Sequence, residues 1–196
     1  MLIINADDWG GWPSATDAAL ECHAQGRITS VTAMVFMEDS RRAAGLALDA
    51  GIDVGLHLNF TQPFTGQNLP PRLAAHQARI GRFLKMSKYA LVLYNPFLSA
   101  AFRQVYQAQA EEFARLYGRQ PSHIDGHQHK HLCANMLVQK LLPRGQWVRR
   151  NFSFWPGEKA SINPAYRKLV DVCLARRHRT TGYFFSLEQS LGLHRL

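Results

Sequence analysis

The chain has 196 residues, 46% hydrophobic and 19% charged, with 23 Lys and Arg against 14 Asp and Glu for a formal charge of +9. That is enough chain for one well-filled core, and the ordinary composition excludes a disordered, collagen-like or disulfide-stapled protein. The three cysteines, Cys22, Cys133 and Cys173, form no Cys-x-x-Cys pair and read as reduced thiols of a cytoplasmic protein.

Leu2-Ile3-Ile4 runs at once into Asn5-Ala6-Asp7-Asp8, so no basic and apolar secretion signal is expected. The most apolar window, residues 83–102, is broken by Lys85, Lys88, Asn95 and Pro96. It falls short of the roughly 18 uninterrupted apolar residues of a membrane span and suits a lid or a subunit contact. The basic surplus gathers late, at Arg149-Arg150, Arg167-Lys168 and Arg176-Arg177-His178-Arg179, without a nucleic-acid-reading motif, so no nucleic-acid partner is expected.

In chain order, Leu2 to Asn5 reads as a buried strand that delivers Asp7 and Asp8 at its mouth. Ser14 to Asp17 reads as a capping-box-like start of a helix that runs to Gly26. Thr29 to Met37 is the next strand and Ser40 to Ala50 the next helix, closed by Gly51. Ile52 to Phe60 is the third strand, where His57 and Asn59 alternate with apolar neighbours and share a face.

Residues 61–102, punctuated by Pro63, Gly66, Pro70, Pro71 and Gly81, read as an inserted helical excursion, a lid or an interface. Phe102, Val105, Tyr106, Phe113, Leu116 and Tyr117 then follow helical spacing to a stop at Gly118 and Pro121. His123 to Asp125 reads as a fourth strand and Leu132 to Leu142 as a helix. Gln146 to Arg150 reads as a fifth strand, Asn163-Pro164 as the start of a helix to about Arg177, and Thr181 to Phe185 as a sixth strand. Alternating strands and helices imply an α/β fold with a parallel sheet, either open and doubly wound or a (β/α) barrel, in one domain spanning 1–196.

The chemistry gathers where such folds place active sites, at strand ends. Four of nine histidines and one carboxylate fall in His123-Ile124-Asp125-Gly126-His127-Gln128-His129-Lys130-His131. One carboxylate and two imidazoles satisfy a hydrolytic divalent-metal site, and Asp8, His57 and His127 are the expected ligands. Asp7, uncoordinated beside them, is the expected general base. His127, His129 and His131 share a face if the segment is extended, whereas His127 pairs with His123 and His131 if it is helical. His129 and His131 are expected to contact substrate or act as an acid, and Asp125 to orient an imidazole or cap the turn before Gly126.

Asn5-Ala6-Asp7-Asp8-Trp9-Gly10, Val54-Gly55-Leu56-His57-Leu58-Asn59 and the histidine-rich segment together resemble the YdjC-like carbohydrate deacetylases, in that family's order. The resemblance implies a distorted or incomplete (β/α) barrel that binds one divalent ion, magnesium or zinc, through Asp8, His57 and His127, with Asp7 as base. It implies removal of acetyl groups from N-acetylated sugars or related small amides. The alternative is a non-catalytic or truncated member that binds metal and sugar or a protein partner, and a basic nucleic-acid-binding protein, suggested by charge alone, ranks below both.

Trp9 stands where the family usually has Phe, and it is expected with Asn59 near the substrate. Thr29, Ser30 and Thr32 match a polar segment of the family and are expected chiefly to fill the barrel. Family members usually run further, to a C-terminal segment with another histidine near a His-Pro-Gly type motif, whereas this sequence stops at Leu196; if that histidine is the family's acid, His129 or His131 is the expected substitute. A homodimer is the expected assembly.

Overall fold

The structure, a computed structural model, describes residues 2–153 and 162–187. It divides into two compact units, Met1–Leu142 and Pro143–Leu196.

The first unit carries strands β1 (Asn5–Trp9), β2 (Ser30–Ala33), β3 (Asp53–Leu58) and β4 (His123–Gly126), paired in parallel in that order. Helices α1 (Pro13–Ala24) and α2 (Ser40–Asp49) make the first two crossovers. The third crossover holds α3 (Pro71–Met86), short 3₁₀ turns and α4 (Ser99–Tyr117), while α5 (Ala134–Val138) follows β4. The parallel α/β expectation therefore holds, with the helical excursion after β3, and the described sheet does not close into a barrel.

Strand register sorts the side chains. Thr32 pairs with Gly55 and His57 with Asp125, so one face carries the polar residues Asn5, Ser30, Thr32, His57, His123 and Asp125. Alternate positions put Val31, Ala33, Val54, Leu56 and Ile124 on the other face, all fully or almost fully buried. Helix α4 packs on β3 and α3 on α4, with Phe60 and Phe102 ring centroids 5.3 Å apart between the sheet's end and the helix. Burying such aromatic and aliphatic surface is the main favourable term in the fold.

Several local expectations are corrected. The first strand starts at Asn5, so Asp7 and Asp8 lie within it, not beyond it. Helix α1 opens on Pro13 with no side-chain cap, and Asp17 instead meets Arg42 at 2.8 Å. The helix after the histidine segment is only Ala134–Val138, because Lys140 turns to φ 54°.

In the second unit, β5 (Trp147–Val148) makes a parallel bridge from Trp147 to Arg179, and α6 (Ile162–Ala175) buries Val170 and Leu174. Thr181 to Phe185 is not a strand; Phe184 and Ser153 exchange hydrogen bonds within irregular chain. Asp171 anchors this unit by accepting from the Arg150 guanidinium at 2.7 Å and from the Asn151 backbone at 3.1 Å.

Candidate metal centre

Between Ala6 and Trp9, β1 carries one residue more than the matching stretch of β2, a β-bulge. Asp8 takes φ 63° there, a left-handed conformation that aspartate tolerates better than most residues. Gly10, at φ 77°, makes the turn that follows. A Cβ at Gly10 would lie 3.1 Å from the Ser40 Cα and 3.2 Å from the Ala43 Cβ, so the bulge is braced directly on α2.

This backbone sends the two neighbouring carboxylates to different partners. Asp8 Oδ1 lies 3.2 Å from His57 Nε2 and 3.0 Å from His127 Nδ1. Asp7 is exposed and accepts from Asn5 Nδ2 at 2.8 Å. His57 is buried, and its other nitrogen, Nδ1, meets Oδ1 of the fully buried Asp125 at 2.7 Å. Burial opposes charging of His57, yet Asp125 and Asp8 outweigh it and push the pKa up to about 10. Burial likewise opposes ionisation of Asp8, but hydrogen bonds from His127 and His57 prevail and hold its carboxyl well below the usual range.

The donor set fits a divalent cation. Atoms of Asp8, His57 and His127 lie within 4.8 Å of one another, and the two spacings from Asp8 Oδ1 approach the roughly 3.3 Å that separates ligand atoms around tetrahedral zinc. Asp7, His57 and Asp125 also have atoms within 4.8 Å of one another, but Asp125 already engages His57 Nδ1 directly at 2.7 Å. The first group leaves each imidazole a nitrogen for a cation, and it combines a carboxylate with two imidazoles, as divalent metals require.

The histidine segment is neither wholly extended nor wholly helical: His123–Gly126 is strand β4, and His127–Leu132 is a kinked 3₁₀ stretch. Gln128 and His129 both adopt positive φ, 53° and 57°, which kinks the chain directly after His127. His127 turns to Asp8, while His131 is fully buried over Gly126 and its ring centroid lies 6.2 Å from that of His129. His123 lies over Gly55, with Nε2 3.3 Å from Asn5 Oδ1.

Two expected substrate contacts lie elsewhere. Trp9 is fully buried and donates its indole N–H to the Ala43 carbonyl at 3.2 Å, because the bulge turns it toward α2. Asn59 is fully buried too; it accepts from the Thr61 and Gln62 backbone and donates to the Gln62 carbonyl, so its side chain shapes the loop after β3. Conversely, Asn5 and Thr32 belong to the network around Asp7 and Asp125. Their signal was the presence of polar residues at alternate positions on neighbouring strands.

A parallel α/β sheet with a carboxylate–imidazole cluster on one face defines the class, and the comparisons specify it. The chain belongs to the YdjC-like protein family, which it matches over residues 1–194. It is 34% identical over 137 residues to a carbohydrate deacetylase of Mus musculus, covering 67% of this chain and 43% of that protein. It is 32% identical over 152 residues to a chitooligosaccharide deacetylase of Proteus mirabilis, covering 73% of this chain and 57% of that protein. The chain thus spans about half the length of the curated relatives it matches.

A crystal structure from Enterococcus faecalis, of a protein provisionally named for cellobiose-phosphate cleavage, shares the fold at TM-score 0.61 and 23% identity. That likeness covers 98% of this chain and 73% of the other. Among the described residues, no helix is long and apolar enough to cross a membrane.

Proposed function

We propose that this chain is a metal-dependent hydrolase that removes acetyl groups from N-acetylated sugars or related small amides. Asp8, His57 and His127 hold one divalent ion, zinc or magnesium, and Asp7 is the general base. The observation that carries this reading is the position of Asp8 Oδ1 between two imidazole nitrogens, 3.2 Å and 3.0 Å away, beside a second carboxylate outside that group. The deacetylase names of the Mus musculus and Proteus mirabilis relatives supply the substrate class.

A cation bound there supplies Lewis acidity for the acetyl carbonyl and for water. Asp8, His57 and His127 would supply the three donor atoms that hold it. Asp7, steadied by Asn5 Nδ2, accepts the proton of the attacking water as its oxygen adds to the acetyl carbon. The C–N bond then breaks, the amine leaves with a proton, and acetate is the other product. His129 supplies a polar, partly exposed imidazole on the same segment as His127 and is the proposed acid or substrate contact.

The 61–102 excursion acts as a lid or a subunit contact in a cytoplasmic homodimer, a reading supported by the exposed side chains of Met86, Tyr89 and Phe97. The test is to load the protein with zinc or magnesium and measure acetate released from N-acetylglucosamine oligomers. Release that depends on added metal is the expected result. Tight metal binding with no acetate from a broad panel of acetylated sugars would instead establish a non-catalytic binding protein.

A further inference from the structure

Thr32 lies on β2, fully buried on the polar face of the sheet. Four polar atoms surround its hydroxyl oxygen: Asn5 Nδ2 at 3.0 Å, Asp125 Oδ2 at 3.1 Å, His57 Nδ1 at 3.3 Å and Asp7 Oδ1 at 3.4 Å. A hydroxyl has one proton to give and two lone pairs with which to accept.

The directions of these bonds follow from their partners. Asn5 Nδ2 can only donate, and it donates to Asp7 Oδ1 at 2.8 Å as well as to Thr32. The Asp7 carboxylate only accepts, which fixes which way the amide points, and the other end of the amide, Oδ1, then accepts the Ser30 hydroxyl at 2.8 Å. The Thr32 oxygen therefore accepts from Asn5, and its proton goes to a carboxylate. Asp125 Oδ2 is nearer than Asp7 Oδ1 and fully buried, where an unmet acceptor costs most. Asp125 is thus held at both oxygens, Oδ2 by Thr32 and Oδ1 by His57 Nδ1.

We propose that Thr32 is a positioning residue of the metal centre: its hydroxyl locks the Asp125 carboxylate so that His57 keeps Nδ1 on Asp125 and presents Nε2 to the cation. Through Asn5, the same hydroxyl is tied to Asp7, so the ligand imidazole and the base share one hydrogen-bonded frame that runs from buried Asp125 to exposed Asp7. This inference rests on the metal-centre reading above. It gives Thr32 a role other than filling space, because the hydroxyl and the methyl group make separable contributions.

The experiment measures zinc affinity of the full chain by competition with a chromophoric chelator, alongside thermal unfolding. Thr32→Val keeps the shape and removes the hydroxyl, and it weakens zinc binding by about 10- to 100-fold. Thr32→Ser keeps the hydroxyl and loses the methyl, so its affinity stays within about threefold of the wild type while its Tm falls.

Should Thr32→Val not fold, Thr32→Ala against Thr32→Ser isolates the hydroxyl, since both lack the methyl, and serine binds zinc more tightly. Equal affinities for the folded valine variant and the wild type, or for the alanine and serine variants, overturn the proposal while leaving the metal centre standing. A wild-type protein that binds no zinc, magnesium or manganese overturns the metal-centre reading and this inference with it.

Discussion

Asp7 and Asp8 are consecutive in the chain, yet Asp8 Oδ1 lies between His57 Nε2 and His127 Nδ1 while Asp7 Oδ1 lies 2.8 Å from Asn5 Nδ2. The bulge and the left-handed φ of Asp8 produce this divergence. Asp7→Asn should therefore keep zinc affinity within about threefold and lower the rate of acetate release by about 10²- to 10⁴-fold. Parallel zinc titrations and steady-state acetate assays separate the two effects; an asparagine variant with wild-type turnover removes Asp7 from the mechanism.

His57 and His127 both face Asp8, but only His57 also neutralises a fully buried carboxylate, Asp125. His57→Ala should lose zinc binding and also destabilise the fold by about 3–5 kcal/mol, because the buried Asp125 carboxylate loses its imidazole and keeps the Thr32 hydroxyl. His127→Ala should lose zinc binding with a much smaller loss of stability, since His127 is partly exposed. Urea unfolding of the metal-free variants tests this ordering, and equal losses would contradict it.

Gly55 and Gly45 should respond to alanine with opposite signs. A Cβ at Gly55 would lie 2.7 Å from the His123 carbonyl oxygen and from its ring, within paired β3 and β4, so Gly55→Ala should cost about 1–3 kcal/mol. Gly45 is exposed in the middle of α2 with nothing within 4 Å of a Cβ, so Gly45→Ala should stabilise by about 0.5–1 kcal/mol. Denaturant midpoints report both, and a harmless alanine at Gly55 would mean that β4 can shift without cost.

Asp39 is buried and accepts from Arg42 Nε at 2.6 Å and Nη2 at 2.9 Å. Burial would raise its pKa, but the guanidinium holds it below the ordinary value. A carboxyl depressed in the folded state contributes stability above its unfolded pKa, roughly 3.9, and loses it as pH falls through the folded value. Asp39→Asn should thus cost about 1 kcal/mol at pH 7, a modest figure because water screens the outer side of Arg42, with the gap narrowing by pH 3. A gap that stays constant between pH 7 and pH 3 in urea unfolding would show that the charge is not its source.

The amino-acid sequence by itself determined the local patterns: the alternation that puts His57 on one face of β3, the helical spacing that runs to Gly118, and the repeated strand–helix order of a parallel sheet. These were legible because period 2, period 3.6 and turn chemistry act over a few residues. Tertiary structure decided what depends on register and backbone handedness. The β1 bulge turned Trp9 into the core, two left-handed residues kinked the histidine segment, and Asn59 was drawn into its own loop. Thr32 comes within reach of Asp125, 93 residues away, only because β2, β3 and β4 align in one register. Such alignment is fixed by pairing between distant strands and by packing on α2 and α4, energies that no short stretch of chain contains.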